Sequence, residues 1–169
     1  IDFERFNPGL DGSAVREKLG ITNEDKVLFF MGWLYDFSGL REVALELANK
    51  PEEYKNIKLL VLGKGDLWDT LQEIRREYKM EDKIIILDWQ PYEEVPKYIA
   101  AADICILPAY KNEIMQNIVP IKMYEYMAMG KPVIATRLSG LVKEFGEGNG
   151  VIYIERAEEV LNIAYKLTG

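Results

Sequence analysis

One segment of the chain, residues 117–136, combines residue types that can bind anions and hydroxyl groups. Asn117 can cap a helix, and Pro120 is tolerated in a first helical turn. Lys122 and Glu125 then share one face near the positive end of the helix dipole. A cation beside free N–H groups suits a diphosphate, and a carboxylate one turn further on suits sugar hydroxyls. The alternative is a surface Lys–Glu pair that contributes about 0.2–0.5 kcal/mol.

A second loop, Gly63-Lys64-Gly65-Asp66, separates an apolar run from a helical pattern. Glycines at such a place let backbone N–H groups approach an anion at a helix N-terminus. A plain tight turn explains the same residues. The loop is not the dinucleotide fingerprint, because Trp68 stands where a third glycine is needed, and no Gly-Lys-Ser/Thr closes a Walker A loop.

Composition excludes several kinds of function. The 169 residues contain no His, which excludes a Ser-His-Asp or Cys-His triad unless another chain supplies the imidazole. The one Cys excludes a disulfide framework, and the chain has too few ligands for a zinc cluster. A net charge of −7 argues against a nucleic-acid partner. The longest apolar run, 27–34, is far shorter than the roughly 20 residues of a membrane-spanning helix. The charged start, without Met or a signal-peptide core, suggests a piece of a longer protein.

The elements that must position these residues alternate along the chain. Apolar, β-branched runs predict six strands, at 26–31, 57–62, 83–87, 103–107, 132–136 and 150–154. Periodic apolar spacing predicts helices at 13–19, 40–49, 67–78, 93–101, 118–129, 141–145 and 157–167. The strands are apolar throughout, as expected when helices cover both faces. The sequence therefore predicts an α/β fold, a doubly wound, Rossmann-like parallel six-stranded sheet with helices on both faces.

Such a sheet binds its ligand beyond the carboxyl ends of its strands. This rule places any chemistry in the loops 32–39, 63–67, 88–92, 108–119 and 137–140. Both segments described above fall within or directly after these loops.

The segment 120–135 resembles the signature of glycosyltransferase family 4 (group 1) with the GT-B fold, in the variant P-x-K-x-x-E-Y-M-A-x-G-K-P-V-I-A. Residues 2–8 resemble the family's D-x-x-x-F-x-P stretch between domains, 61–65 its V-G-x-G turn, and 102–108 its A-D-x-x-x-x-P strand. The resemblance covers essentially the whole chain. It implies that residues 1–169 form a single donor-binding domain, the C-terminal half of a two-domain enzyme whose N-terminal half is absent, with 1–20 as an N-terminal lead-in segment.

The resemblance also implies roles for individual residues. Glu125 would hold the ribose hydroxyls of a nucleotide-sugar donor, Lys122 would contact its diphosphate, and backbone in 88–91 would pair with the base, flanked by Trp89 or Tyr110. The full set of donor-binding residues implied in this way is Glu125, Lys122, Asn117, Gly32, Gly63, Lys64, Gly65 and Gln90.

Three positions depart from the family pattern. Asn117 stands where the family often has the first Glu of an E-x7-E pair, so the catalytic residue stays unknown. Trp33 and Ser38 stand where the family often has an Arg and a Lys on the diphosphate. Lys64 and Lys122 are the candidates to replace those charges. Without them, donor binding would be weak or the protein inactive.

The resemblance thus predicts a retaining glycosyltransferase that moves a hexose from a UDP- or GDP-sugar to a saccharide, lipid-linked or protein acceptor. It needs no cofactor and no metal, and its partners are the donor and its own N-terminal domain. We expect a cytoplasmic protein, at the inner face of the membrane where the acceptor is lipid-linked, and an isolated chain without activity. The alternatives are a non-catalytic sugar-nucleotide-binding module and half of a sugar-nucleotide epimerase, although the latter usually uses His.

Overall fold

Six parallel strands form one sheet in the computed structural model, which describes residues 1–168. The strands are β1 (Lys26–Trp33), β2 (Ile57–Lys64), β3 (Ile84–Leu87), β4 (Ile104–Leu107), β5 (Val133–Thr136) and β6 (Val151–Ile154). Their order is β3-β2-β1-β4-β5-β6, and every neighbouring pair is parallel. The predicted doubly wound sheet is therefore confirmed.

Eight helices connect and cover the strands within residues 1–168. They are α1 (Ser13–Lys18), α2 (Leu40–Asn49), α3 (Trp68–Glu77), α4 (Val95–Ala100), α5 (Glu113–Gln116), α6 (Ile121–Ala128), α7 (Ser139–Phe145) and α8 (Val160–Thr168). Short 3-10 turns at Asp36–Ser38, Tyr92–Glu94 and Ala157–Glu159 precede α2, α4 and α8. In the described part of the chain, no helix is long and apolar enough to cross a membrane.

The strand order reverses beside β1, because the chain winds outward to β3 and then returns to place β4 on the other side of β1. At such a switch point the loops on the two sides diverge and leave a crevice at the carboxyl edge. The candidate site lies at the end of β1, next to this crevice.

The helix that carries Lys122 and Glu125 is fixed on β1 by one buried tyrosine. Tyr126 of α6 is fully buried, its ring meets Phe29 edge-on at 6.1 Å, and its hydroxyl accepts a hydrogen bond of 3.1 Å from the Met31 backbone N–H. Lys122 and Glu125 lie one turn and one residue before Tyr126 on α6. The anchor therefore determines how far these two side chains reach beyond the end of β1.

The sequence places the start of α6 too early and misses α5. The helix predicted at 118–129 begins only at Ile121, because Pro120 is extended (φ −61°, ψ 139°) and disfavours helical backbone in the residue before it. The prediction that Asn117 caps α6 is therefore wrong, and Asn117 instead ends α5. The cap of α5 is Asn112, whose side chain accepts a 2.8 Å hydrogen bond from the Met115 N–H. This four-residue helix was expected to be part of the loop 108–119.

Candidate functional site

A cavity of about 390 Å³ opens at the carboxyl edge of the sheet. Its wall combines the end of β1, the loop after β3 and the first turn of α6. The lining includes Gly32, Trp89, Gln90, Lys122 and Glu125, so four of the predicted donor-binding residues and one of the two aromatic candidates meet here. The rule that parallel sheets bind at their carboxyl ends thus selects the same place as the geometry.

Glu125 presents a buried carboxylate to this cavity. The residue is 7% exposed, and its Oε2 accepts a hydrogen bond of 3.0 Å from the hydroxyl of Tyr92. Burial raises the pKa of the carboxyl above its ordinary value, while the Tyr92 hydrogen bond and the charge of Lys122 act in the opposite direction. A carboxylate held in this way can accept hydrogen bonds from two neighbouring hydroxyls.

Lys122 brings a positive charge to the same wall. Its Nζ lies 4.1 Å from the centre of the Phe30 ring, a cation–π distance. Burial lowers the pKa of the ammonium to about 8. Among residues 1–168, no hydrogen bond or ion pair to the Lys122 Nζ is found, so the charge is available to an anion.

Gly32 makes room for Lys122. Its φ is +131°, and a Cβ on this residue would lie 2.4 Å from the Lys122 Nζ. Only glycine adopts this backbone conformation at low cost, and only the missing side chain lets the ammonium reach the end of β1. Gly32 thus lines the cavity, and its predicted contact with a donor stays a prediction.

At Gly63 and Gly65, close contacts with neighbouring backbone leave no room for a side chain. Gly63 is paired with Gly32 across β1 and β2, and its Cβ would lie 1.9 Å from the Gly32 carbonyl oxygen. A Cβ on Gly65 would lie 2.6 Å from the Leu34 backbone nitrogen, at φ +146°. Neither residue lines the cavity, so close backbone packing accounts for both, and their predicted contact with a donor stays a prediction.

Lys64 does not line the cavity. Its side chain is exposed, and its Nζ lies 3.5 Å from an oxygen of Asp88 in a surface ion pair. Gln90 does line the cavity, where its Oε1 accepts a hydrogen bond of 3.3 Å from the Tyr98 hydroxyl and its Nε2 donates to the Asp88 carbonyl at 3.2 Å. Of the two lysines proposed to replace the family's cations, the structure places Lys122 at the cavity.

Asn117 lies outside the lining of this cavity. Its side-chain amide donates a hydrogen bond of 2.8 Å to the Glu113 carbonyl within α5. Of the two aromatic residues considered for the base, Trp89 lines the cavity with half of its surface exposed, whereas the Tyr110 hydroxyl donates to the Glu42 carboxylate elsewhere.

A smaller cavity of about 120 Å³ adjoins the first, and Lys122 lines both. Trp33 and Ser38, which stand where the family often has cations, line this second cavity together with Tyr35 and Phe37, whose rings are stacked at 4.8 Å. Among residues 1–168, Lys122 is the only cation in either lining. The positions where the family often has further cations therefore contribute aromatic and hydroxyl surface to this cavity.

Sequence reasoning missed Tyr92. Its hydroxyl reaches a carboxylate 33 residues further along the chain, and no local pattern links the two positions. The residue lies in the predicted loop 88–92 at the carboxyl edge, and this location is the only signal that could have drawn attention to it.

A doubly wound sheet with a lysine and a carboxylate on the helix at its switch point is typical of α/β domains whose ligand site lies at the carboxyl edge. The chain belongs to the family described as "Glycosyl transferases group 1", whose profile matches residues 12–165. The resemblance drawn from the sequence motifs is thereby confirmed.

Curated relatives agree with this family. The chain is 29% identical over 164 residues to a D-inositol 3-phosphate glycosyltransferase of Corynebacterium glutamicum, covering 91% of this chain and 38% of that protein. It is 27% identical over 128 residues to an uncharacterized glycosyltransferase of Methanocaldococcus jannaschii, covering 76% of this chain and 31% of that protein. The chain thus spans less than half the length of these relatives.

Solved structures show the same fold. HepE of Anabaena, in complex with UDP and glucose, superposes with a TM-score of 0.75 at 19% identity, over 98% of this chain and 45% of that one. The C-terminal domain of a group 1 glycosyl transferase, LpcC of Francisella tularensis, superposes with a TM-score of 0.72 at 17% identity, over 99% of this chain and 87% of that one. The predicted GT-B-type, Rossmann-like domain is confirmed at the level of the fold.

Proposed function

We propose that this chain is the donor-binding domain of a retaining glycosyltransferase that transfers a hexose from a UDP- or GDP-sugar to a saccharide, lipid-linked or protein acceptor. The observation that carries the proposal is the meeting of Glu125 and Lys122 in one cavity at the switch point of the sheet. The structurally similar HepE, solved in complex with UDP and glucose, supports a nucleotide-sugar ligand of this kind.

In this proposal the donor lies across the first turn of α6. Glu125 accepts hydrogen bonds from the ribose hydroxyls through the carboxylate oxygen that Tyr92 leaves free. Trp89 lies against the base, and Gln90 and the neighbouring backbone in 88–91 bind its edge. The cavity of about 390 Å³ is lined by Glu125, Lys122, Trp89 and Gln90 together, so one ligand can reach all four side chains.

Lys122 would neutralise the diphosphate. When the bond between the sugar and the diphosphate breaks, negative charge develops on the leaving oxygen, and a fixed ammonium stabilises it. We infer that this charge, together with the N-terminus of α6, removes the need for a metal or other cofactor. Nucleotide affinity is then expected to be unchanged by EDTA, and a large gain on adding Mg²⁺ would contradict this point.

The acceptor side of the reaction lies outside these residues. In this proposal a separate N-terminal domain closes over the carboxyl edge, binds the acceptor and completes the reaction cleft. A lipid-linked acceptor would bring the assembled enzyme to the inner face of the membrane.

One set of observations favours a second candidate, a sugar-nucleotide-binding module without catalytic activity. Trp33, Ser38 and Asn117 occupy positions where the family often has charged residues, and in this chain they form aromatic and amide surface or bond within α5. Both candidates require the donor site. They differ in turnover and not in nucleotide binding.

Calorimetric titration of the chain with UDP, GDP and ADP tests the donor site. We expect one nucleotide to bind, and Glu125→Ala to lower its affinity about 100-fold, because loss of a charged hydrogen-bond acceptor costs about 2–3 kcal/mol. Glu73→Ala, on the exposed side of α3, makes the same change of charge and should bind like the wild type. Equal affinities of wild type and Glu125→Ala would overturn the assignment.

A further inference from the structure

Tyr92 is the one side chain within residues 1–168 that hydrogen-bonds the Glu125 carboxylate. The bond joins the hydroxyl to Oε2 at 3.0 Å and leaves Oε1 without a protein donor. Tyr92 also lines the cavity, next to Trp89 and Gln90. The hydroxyl therefore fixes which carboxylate oxygen faces a ligand.

The Tyr92 ring is supported by the N-terminal segment. Phe6, which is 1% exposed, lies 5.7 Å from it in a tilted arrangement, and the guanidinium of Arg5 lies 5.7 Å above the ring. The segment itself is turned back, since the Arg5 and Phe6 N–H groups both donate to the Asp2 carbonyl, at 3.1 and 2.9 Å. A continuous contact thus runs from residues 2–6 through Tyr92 to Glu125.

We infer that Tyr92 is a positioning residue for the carboxylate that binds the ribose, and that residues 2–6 hold Tyr92 in place for this task. This inference rests on the proposed function, because it gives Glu125 the role described there. It adds that donor affinity depends on a residue that need not touch the nucleotide, and on how the N-terminal segment packs.

The physical reason is the burial of Glu125. A buried carboxylate without a donor protonates more readily and turns more freely, and both changes weaken its hydrogen bonds to ligand hydroxyls. The side chains that affect the charge of this carboxylate are the Tyr92 hydroxyl and the Lys122 ammonium. Of these, only Tyr92 binds it directly.

The first test is Tyr92→Phe, which keeps the ring against Phe6 and removes only the hydroxyl. Titration with UDP, and with GDP and ADP in parallel, is expected to show about a tenfold loss of affinity. The pH below which binding weakens should move upward, since the pKa of Glu125 rises without its donor. Tyr124→Phe is the matched control. Tyr124 lies on the same helix as Glu125, and its hydroxyl donates a hydrogen bond to Glu144 rather than to Glu125.

The second test links the N-terminal segment to the same hydroxyl. Phe6→Leu is expected to weaken UDP binding severalfold in the wild-type background and to have little further effect in Tyr92→Phe. Additive losses would show that the segment does not act through Tyr92. Circular dichroism and a thermal melt of each variant identify those that are unfolded.

The outcomes separate this inference from the proposed function. If Glu125→Ala abolishes binding while Tyr92→Phe binds UDP with wild-type affinity and an unmoved pH profile, the positioning role is wrong and the donor site stands. If the wild-type chain binds none of the three nucleotides, both are overturned. A tenfold loss without any shift of the pH profile would show that Tyr92 contacts the nucleotide itself, which also contradicts the inference.

Discussion

At the scale of single residues, the site concentrates its positive charge on one side chain. Trp33 and Ser38 give the neighbouring cavity an aromatic and hydroxyl surface, and Lys64 is paired with Asp88 at the protein surface. Lys122 is left as the cation that lines both cavities. Its effect on an anion then depends on its own protonation, because no second cation compensates for its loss.

Nucleotide affinity should therefore fall as the pH rises through about 8, the value to which burial lowers the pKa of Lys122. Above this pKa the Lys122 amine is neutral in the protein without ligand. Binding of a diphosphate must then take up a proton, so affinity falls as the pH rises. Titrations with UDP between pH 6.5 and 9.5 are expected to show affinity falling about tenfold per pH unit at the alkaline end.

Lys122→Met tests the assignment, because methionine keeps most of the apolar stem and removes the charge. This variant should bind UDP weakly at pH 7 and show no alkaline fall. Lys18→Met, at the exposed end of α1, is the control and should keep the wild-type profile. If the UDP affinity of Lys122→Met falls with rising pH at the same midpoint as that of the wild type, the group that titrates is not Lys122.

At the scale of elements, the ends of β1 and β2 are built to approach closely. Gly32 and Gly63 are partners across the two strands, and the Gly32 carbonyl occupies the space where a Gly63 Cβ would stand. The same arrangement leaves room for the Lys122 ammonium over the end of β1. Packing of two strands and placement of a charged side chain thus depend on one pair of glycines.

Gly63→Ala is expected to lower the free energy of unfolding by about 3 kcal/mol, because the added methyl group meets backbone rather than a side chain that can move. Gly148→Ala is a suitable control: its φ is also unfavourable for alanine, at +75°, but no atom lies within 4 Å of the added Cβ. We expect it to cost about 1 kcal/mol. Urea denaturation of both variants measures the difference, and equal costs would contradict the close approach.

Elements with strong apolar patterns were predictable, and the connection 108–120 was not. Helix α2 has the predicted bounds, 40–49, since its buried face follows a regular helical spacing and Pro51 follows it closely. Strand β1 extends two residues beyond its predicted end because Gly32 and Trp33 continue to pair with β2, which an apolar pattern does not reveal. Helix α5 depends on the Asn112 cap, a local signal outweighed here by the loop-like composition around it.

At the scale of the whole molecule, the site is open on one side. The carboxyl edge of the sheet carries both cavities, and around them Trp33, Trp89 and Ile121 are exposed. The sequence predicted that Glu125, Lys122, Gly32 and Gln90 converge, because the family motif and the sheet rule name the same edge. It could not predict Tyr92 or the aromatic second cavity, which arise from contacts between distant segments.

Such an open edge leads to the prediction that binding and transfer are separable. The 169-residue chain is expected to bind one nucleotide but to form no glycosylated product, because its cavity opens to solvent at the carboxyl edge and, in the proposed function, a second domain positions the acceptor and excludes water. Incubation with radiolabelled UDP-glucose and GDP-mannose, with and without a co-expressed N-terminal domain, measures both properties.

Product that requires the second domain and disappears in Glu125→Ala supports the glycosyltransferase. Nucleotide binding without product in the two-domain protein favours the non-catalytic module, and product from the chain alone contradicts the division of the cleft between two domains.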